Sequence, residues 1–282
     1  MTDNSISRKV KDITAGFVGG ATQVLIGQPF DLIKIRLQTS NSTITQVFQD
    51  VVKKEGILSF YKGTLPPLFG VGACVSLQFY GFHETKRYFE SKSGKSLTWK
   101  EIYLSGAMAG IVNTPVASPV EQLRILSQSS STKIHMKELI GDIYKNHGFK
   151  GIFRGFNITL LREIQSYGVW FLSYETIIRS VVNYHNYESR DSLSTPELLL
   201  SGAAAGNLLW LSAYPLDVIK SNIQSDSFKN PKFNGVNSVV KYIYSTYGLR
   251  GFWKGIGPCL VRATPCSAGT FASVELALRM LN

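Results

Sequence analysis

Charge is scarce in this chain. Of 282 residues only 17% are charged, against 44% hydrophobic. There are three cysteines, Cys74, Cys259 and Cys266, with no CxxC spacing. That odd, scattered set excludes a disulfide framework and a zinc-finger-type metal site. The four histidines are dispersed. GxSxG, Walker-type and HExxH motifs are all missing, so no constellation with catalytic spacing supports an enzyme, a cofactor or a metal centre. The opening MTDNSISRKVKD has no apolar signal segment and is short and acid-containing for a transit peptide. Any membrane address is therefore expected to be internal.

What is present is organised by the gaps between charges. Uncharged runs cover Ile13–Phe30, Gly63–His83, Ile102–Val120 and Leu198–Leu216. Each is about the length of a bilayer-spanning helix, roughly 17–25 residues. Two shorter runs, Ile164–Tyr174 and Ala263–Val274, follow Arg162-Glu163 and Arg262. If these also span, they carry charge inside a membrane, where it is expensive and usually functional. The net charge of +11 fits loops facing anionic lipid or a pathway for anionic solutes. The bases are scattered through loops with no dense patch, which speaks against a nucleic-acid partner.

Three internal repeats organise nearly the whole chain. GFVGGATQVLIGQPFDLIKIRLQ aligns without gaps to GAMAGIVNTPVASPVEQLRILSQ and GAAAGNLLWLSAYPLDVIKSNIQ. Their prolines are Pro29, Pro119 and Pro215. Glycine pairs precede them at Gly16/Gly20, Gly106/Gly110 and Gly202/Gly206, and glutamines follow at Gln38, Gln128 and Gln224. A second signature, FYKG, IFRG or FWKG, ends at Gly63, Gly155 or Gly255. Each repeat thus reads as a spanning helix, a polar loop with a short amphipathic helix, a glycine turn and a second spanning helix. The expected architecture is all-α: one domain over residues 1–282, six spanning helices, and repeats near 8–92, 97–185 and 193–282. A soluble helical solenoid is disfavoured because Leu198–Leu216 has no charge on any face.

The spacing P-x-(D/E)-x-x-(K/R) places an acid and a base three residues apart, near one helix face, just after a helix-bending proline. Around a pseudo-threefold axis, Asp31, Glu121 and Asp217 could each meet the base of the next repeat, from Lys34, Arg124 and Lys220. Such a ring of buried pairs would act as a gate whose breaking substrate binding must offset. The glycine pairs suit close helix packing in lipid. The turns at Gly63, Gly155 and Gly255 set a base before a helix N-terminus, a place that can take a phospholipid headgroup, cardiolipin included.

These motifs make the chain resemble the mitochondrial carrier family over its whole length. Repeat one matches the extended motif with Pro29, Asp31, Lys34, Arg36 and Gln38, whereas repeats two and three have Leu126 and Asn222 at the last base. The resemblance implies an inner-membrane, multi-pass carrier working as a monomer, a charged ring closing the matrix side, and a glutamine bracing each ion pair. It also implies a cytoplasmic ring, which is poorly matched at Phe82-His83, Tyr174-Glu175 and Val274-Glu275. Its expected bases fall at Lys86, Ile178 and Leu278, with arginines one residue later at Arg87, Arg179 and Arg279. Family substrate contacts fall at Gly70, at Arg162 with Glu163, and at Arg262. An Arg beside an acid can hold a carboxylate and an ammonium together, as the amino-acid and carnitine branch of the family does. Adjacent helix residues diverge by about a hundred degrees, so Arg162 and Glu163 are not expected to pair with each other. With no acid at Gly70 or Val71, a small neutral or acidic amino acid such as glycine or glutamate is expected. Carnitine is the close rival, and a basic amino acid of the ornithine type is disfavoured. Gln23 and Asn113 share a repeat position and are candidates to line the cavity. A carrier-like scaffold or receptor is the non-transport alternative.

Overall fold

The computed structural model describes residues 3–93, 97–130, 135–228 and 230–281. The side chains of residues 3–13, 15, 16, 93, 191, 264, 267, 268, 271, 274, 275, 278 and 281 lie outside the described set. All regular structure among the described residues is helical. Six long helices, α1 (Asp3–Thr39), α3 (Leu65–Ser93), α4 (Trp99–Ser129), α6 (Phe156–His185), α7 (Thr195–Ser225) and α9 (Ile256–Leu281), alternate two by two with three short ones. The short helices are α2 (Ile44–Asp50), α5 (Met136–Ile152) and α8 (Val236–Tyr247).

Local chemistry marks the boundaries. Thr98 and Ser194 open α4 and α7 with capping boxes, paired with Glu101 and Glu197 three residues on. Pro29, Pro119 and Pro215 each sit inside a continuous helix rather than ending it. The turns before α3, α6 and α9 pass through Gly63, Gly155 and Gly255 at φ 73°, 76° and 87°, a left-handed conformation that costs glycine little. A Cβ at Gly255 would lie 3.2 Å from the Lys34 carbonyl oxygen, so the turn also nests against the helix of the first repeat.

The long helices form a ring in the order α1, α3, α4, α6, α7, α9. The seams between repeats, α3 on α4, α6 on α7 and α9 on α1, are extensive. Within repeats the packing is unequal: α4 lies along α6, whereas α1 touches α3 lightly and α7 touches α9 lightly. The glycines show why. A Cβ at Gly106 would meet the Tyr167 carbonyl oxygen at 2.4 Å, and one at Gly110 the Glu163 carbonyl oxygen at 2.5 Å. At Gly202 and Gly206 it would meet nothing within 4 Å. The side-chain-free edge is therefore used for backbone contact in repeat two alone of these two repeats.

Each short helix packs under the end of the first long helix of its repeat, α2 on α1, α5 on α4 and α8 on α7. Val239 and Ile243 of α8 pack with Tyr214, Val218, Ile158 and Cys259, and in the segment that follows α2 Val51 and Phe60 pack with Leu32. Large apolar side chains on the long helices face outward, among them Phe69, Tyr80, Leu161, Leu200 and Val261. Among the described residues, one helical stretch, Ile57–Lys92, is long and apolar enough on composition alone to cross a membrane. Against the six expected, the uncharged runs of α1, α4 and α7 are diluted by glycine, serine, threonine, proline, glutamine and asparagine, which lower their average hydropathy, while α6 and α9 carry Arg162, Glu163 and Arg262 near their starts.

Candidate functional site

The C-terminal thirds of α1, α4 and α7 converge below their prolines. There Lys34 Nζ lies 2.7 Å from Asp217 Oδ2, and Lys220 Nζ lies 2.7 Å from Glu121 Oε2. Arg124 Nη2 donates to Asp31 Oδ2. Each acid meets the base of the following repeat, so three pairs close a ring. Asp31, Lys34, Asp217 and Lys220 are buried. The within-helix contact between Lys220 and Asp217 is longer, at 3.9 Å. Trp210 covers the ring from above, its centroid 4.2 Å from Lys34 Nζ, a cation–π contact.

The three glutamines differ. Gln38 Nε2 donates to Asp217 Oδ2 at 3.0 Å. The Gln224 amide instead bonds the Arg154 carbonyl oxygen and Thr159 Oγ1. The Gln128 side-chain amide makes no hydrogen bond among the described residues. A brace on an ion pair is thus seen at Gln38 and at neither counterpart. Gln28, one residue before Pro29, was not singled out from the sequence. It accepts from Arg124 Nη2 at 3.1 Å and donates to the Lys62 carbonyl oxygen.

A cavity of about 280 Å³ lies directly on the ring. Gly70, Arg162, Glu163 and Arg262 all line it, with Val71, Cys74, Gln78, Asn113, Tyr167 and Trp210. The Gly70 side is apolar, since a Cβ there would touch Val120 at 3.0 Å. Gln23 is exposed, while its repeat counterpart Asn113 is buried on the wall.

The embedded arginines are already engaged. Arg262 Nη1 reaches Asp31 Oδ1 at 2.9 Å and Oδ2 at 2.7 Å. Arg162 Nη2 donates to Glu121 Oε1 at 2.8 Å and also to Glu163 Oε1. The last contact corrects the expectation that neighbours on a helix cannot pair. Their Cα–Cβ vectors do diverge, but arginine is long enough for its guanidinium to curl back along the helix. Arg162 and Arg262 therefore belong both to the cavity wall and to the ring below it.

The bases of the glycine turns are spent on the protein itself. Lys62 Nζ reaches Glu55 Oε2 at 2.5 Å and the Ser130 carbonyl oxygen at 3.4 Å. Arg154 donates to the carbonyl oxygens of Asp226 at 2.8 Å and Ser227 at 3.3 Å. Lys254 donates to the Ser40 carbonyl oxygen at 2.6 Å. Each base caps the C-terminal end of the first long helix of the next repeat (α4, α7 or α1), where free carbonyls and the helix dipole favour a cation. Arg36, the extra base of repeat one, makes a two-pronged bond to Glu55 and also donates to the Gln128 carbonyl oxygen. Burial opposes the Glu55 charge, but the Arg36 and Lys62 hydrogen bonds outweigh it and hold the carboxyl below its ordinary range.

At the opposite end, ion pairs are local. Glu175 pairs with Arg179 at 3.2 Å and Arg190 at 3.1 Å, and Glu84 pairs with Arg87 at 3.0 Å. Among the described residues these pairs stay within α3 or within α6 and the turn after it. The side chains of Val274, Glu275 and Leu278 lie outside the described residues. Among the described residues no His, Cys, Asp and Glu cluster could hold a metal. A separate recess of about 870 Å³, lined by Arg36, Ser40, Glu55, Ser129 and Asp226 among others, lies beyond the ring at the helix ends.

The chain matches relatives over nearly its whole length. The family model described as mitochondrial carrier protein matches residues 7–93, 95–185 and 191–282. The chain is 43% identical over 284 residues to the mitochondrial glycine transporter YMC1 of Saccharomyces cerevisiae, covering 98% of this chain and 92% of the relative. It is 40% identical over 285 residues to the glutamate/glycine mitochondrial carrier ymc1 of Schizosaccharomyces pombe, covering 97% and 95%. It is 35% identical over 280 residues to the mitochondrial basic amino acids transporter of Rattus norvegicus, covering 95% and 88%. With three tandem matches and such relatives, the chain belongs to the mitochondrial carrier family.

Proposed function

We propose that this protein carries a small neutral or acidic amino acid, glycine or glutamate, across the mitochondrial inner membrane by alternating access. In this reading α1, α3, α4, α6, α7 and α9 span the membrane, and the protein works as a monomer and is not an enzyme. The outward-facing apolar side chains and the inward-facing charges support that placement. Lipid headgroups, cardiolipin among them, would meet the backbone N–H groups opening α3, α6 and α9; the nearby bases are held by helix ends.

The observation that carries the reading is the sharing of Arg162 and Arg262 between cavity and ring. The ring closes one end, which the family resemblance assigns to the matrix side. A solute entering from the other end meets Arg162, Arg262 and Glu163. Its carboxylate competes with Glu121 and Asp31 for the two guanidiniums, and its ammonium competes with Arg162 for Glu163. Each guanidinium that turns to the solute leaves one ring carboxylate with a single cation. New bonds to the solute in the cavity thereby offset those broken in the ring, as coupling requires. The apolar wall at Gly70 and Val120 offers no anion for a cationic side chain, which favours glycine and glutamate over ornithine.

The test is uptake into proteoliposomes of labelled glutamate, glycine, ornithine and carnitine side by side. Uptake of glycine or glutamate without ornithine is expected. Arg162→Glu is expected to abolish it while membrane insertion stays intact, and full transport by that variant overturns the reading. Preferred uptake of ornithine or carnitine would keep a carrier and reassign its substrate. No uptake of any solute would point to the scaffold alternative.

A further inference from the structure

Asn113 of α4 is buried on the cavity wall, 2% exposed, and its Nδ2 donates to Glu163 Oε2 at 2.8 Å. A carboxylate only accepts, so this bond fixes the amide orientation without ambiguity. Oδ1 must then be the other amide atom, and it makes no hydrogen bond among the described residues. A buried, unpaired acceptor is destabilising. Its position is set by the packing: Gly110, one turn earlier, lets α4 meet the α6 backbone at Glu163. The repeat counterparts are Gln23 and Leu209, so this corner exists once in the ring. Ser221 also lines the cavity with an unpaired hydroxyl, but a hydroxyl can rotate and is not oriented by a carboxylate.

Resting on the reading above, we propose that Asn113 Oδ1 and Glu163 together form the ammonium pocket of the carrier, and that Asn113 selects solutes whose nitrogen carries hydrogens. Glu163 alone attracts any cation, including one with three methyl groups. An amide oxygen adds a directional acceptor that needs an N–H donor. Arg162 holds the other oxygen of Glu163. When it turns to the solute carboxylate, the same corner is opened to the solute ammonium. A primary ammonium has three donors for this corner, a dimethylated one has one, and a trimethylated one has none.

The experiment uses the full chain in proteoliposomes with glycine and its N-methyl, N,N-dimethyl and N,N,N-trimethyl derivatives. In the unmodified protein kcat/KM is expected to fall modestly for N-methylglycine, then about 10- to 100-fold for N,N-dimethylglycine, the range of one hydrogen bond to a charged group. The trimethyl compound is expected to give no uptake. In Asn113→Leu the KM for glycine rises by a similar factor, and glycine and N,N-dimethylglycine come within about threefold of each other. Asn113→Thr, which restores an acceptor, recovers part of the discrimination. Equal loss for glycine and its methylated derivatives in Asn113→Leu would mean a purely structural role and overturn the proposal. Should Asn113→Leu not fold, the unmodified protein decides, because uptake of the trimethyl compound on a par with glycine overturns it alone. Absence of both glycine and glutamate uptake by the unmodified protein would instead defeat the transport reading, and this inference with it.

Discussion

Two glycines at the same repeat position, Gly110 and Gly206, should respond oppositely to the same substitution. In Gly110→Ala the new Cβ would sit 2.5 Å from the Glu163 carbonyl oxygen and 2.6 Å from its carbon, against ordinary contact that begins at 3.4 Å. The obstacle is backbone, so α4 and α6 must separate by about 1 Å. Overpacking of this kind costs about 1–3 kcal/mol. In Gly206→Ala nothing lies within 4 Å, and alanine gains about 1 kcal/mol over glycine inside a helix. That propensity gain is common to both, so the difference between the variants isolates the clash. At about 2–4 °C per kcal/mol for a chain approaching this size, a 2 kcal/mol clash separates the melting temperatures by about 4–8 °C. The assay is thermal unfolding of both variants in one detergent, with Gly206→Ala expected at or above the unmodified protein. Equal shifts, or a lower melting temperature for Gly206→Ala, would refute the claim that the two packings differ.

Two further outcomes follow from the ion pairs. Lys34→Met leaves the Asp217 carboxylate buried with Gln38 at 3.0 Å and longer contacts of 3.9 Å to Lys220 and Arg162, a loss of about 3 kcal/mol, the low end for a broken buried pair. Lys34→Met combined with Asp217→Asn should be less destabilised than the sum of the single variants, and strict additivity in a double-mutant cycle would deny the pair. For Glu55 the sign comes from its lowered value. Its stabilisation is complete above the ordinary carboxylate range near 4.5 and is lost as pH falls through the depressed folded value. Glu55→Gln should therefore lower the melting temperature at pH 7, and its gap from the unmodified protein should narrow in acid below about pH 4. A gap that does not depend on pH would contradict the charge-based account.

The helical architecture was legible because it rests on spacing: charge-free runs, repeated prolines, and glycines at fixed offsets. The meeting of Asp31 with Arg124 across repeats was approachable in the same way, since a threefold pattern restricts the partners an acid can find. Side-chain reach was less legible. Arg162 bends back to Glu163 because its flexible side chain overrides the angle at which the two residues leave the helix. Gln224 spends its amide on Thr159 and the Arg154 carbonyl, partners on another helix that the repeat motif does not include. The bases of FYKG, IFRG and FWKG turned inward because free carbonyls at the ends of α1, α4 and α7 stand within their reach, a fact no single repeat reveals. The unequal glycine seams were invisible for a related reason: Gly110 and Gly206 are the same letter, and what differs is the element opposite. Trp210 and Gln28 carried no motif signal at all.

Lys254 holds the end of α1, Arg262 grips Asp31, and Lys34 holds Asp217. All three contacts tie repeat three to repeat one. Repeats one and two, and two and three, are joined by peptide; the last joint of the circle has no covalent backing. A linear chain that closes on itself must meet the entropy of that closure by contacts alone. The α9–α1 joint is accordingly held by side chains and packing, and it is the joint that a cut elsewhere and a new peptide link here could relocate. A circularly permuted chain, opened between α3 and α4 and linked between α9 and α1, is expected to keep the pairs that tie α9 and α7 to α1. Its joint without peptide backing would then lie between α3 and α4, with the order of the repeats rewritten and the ring unchanged.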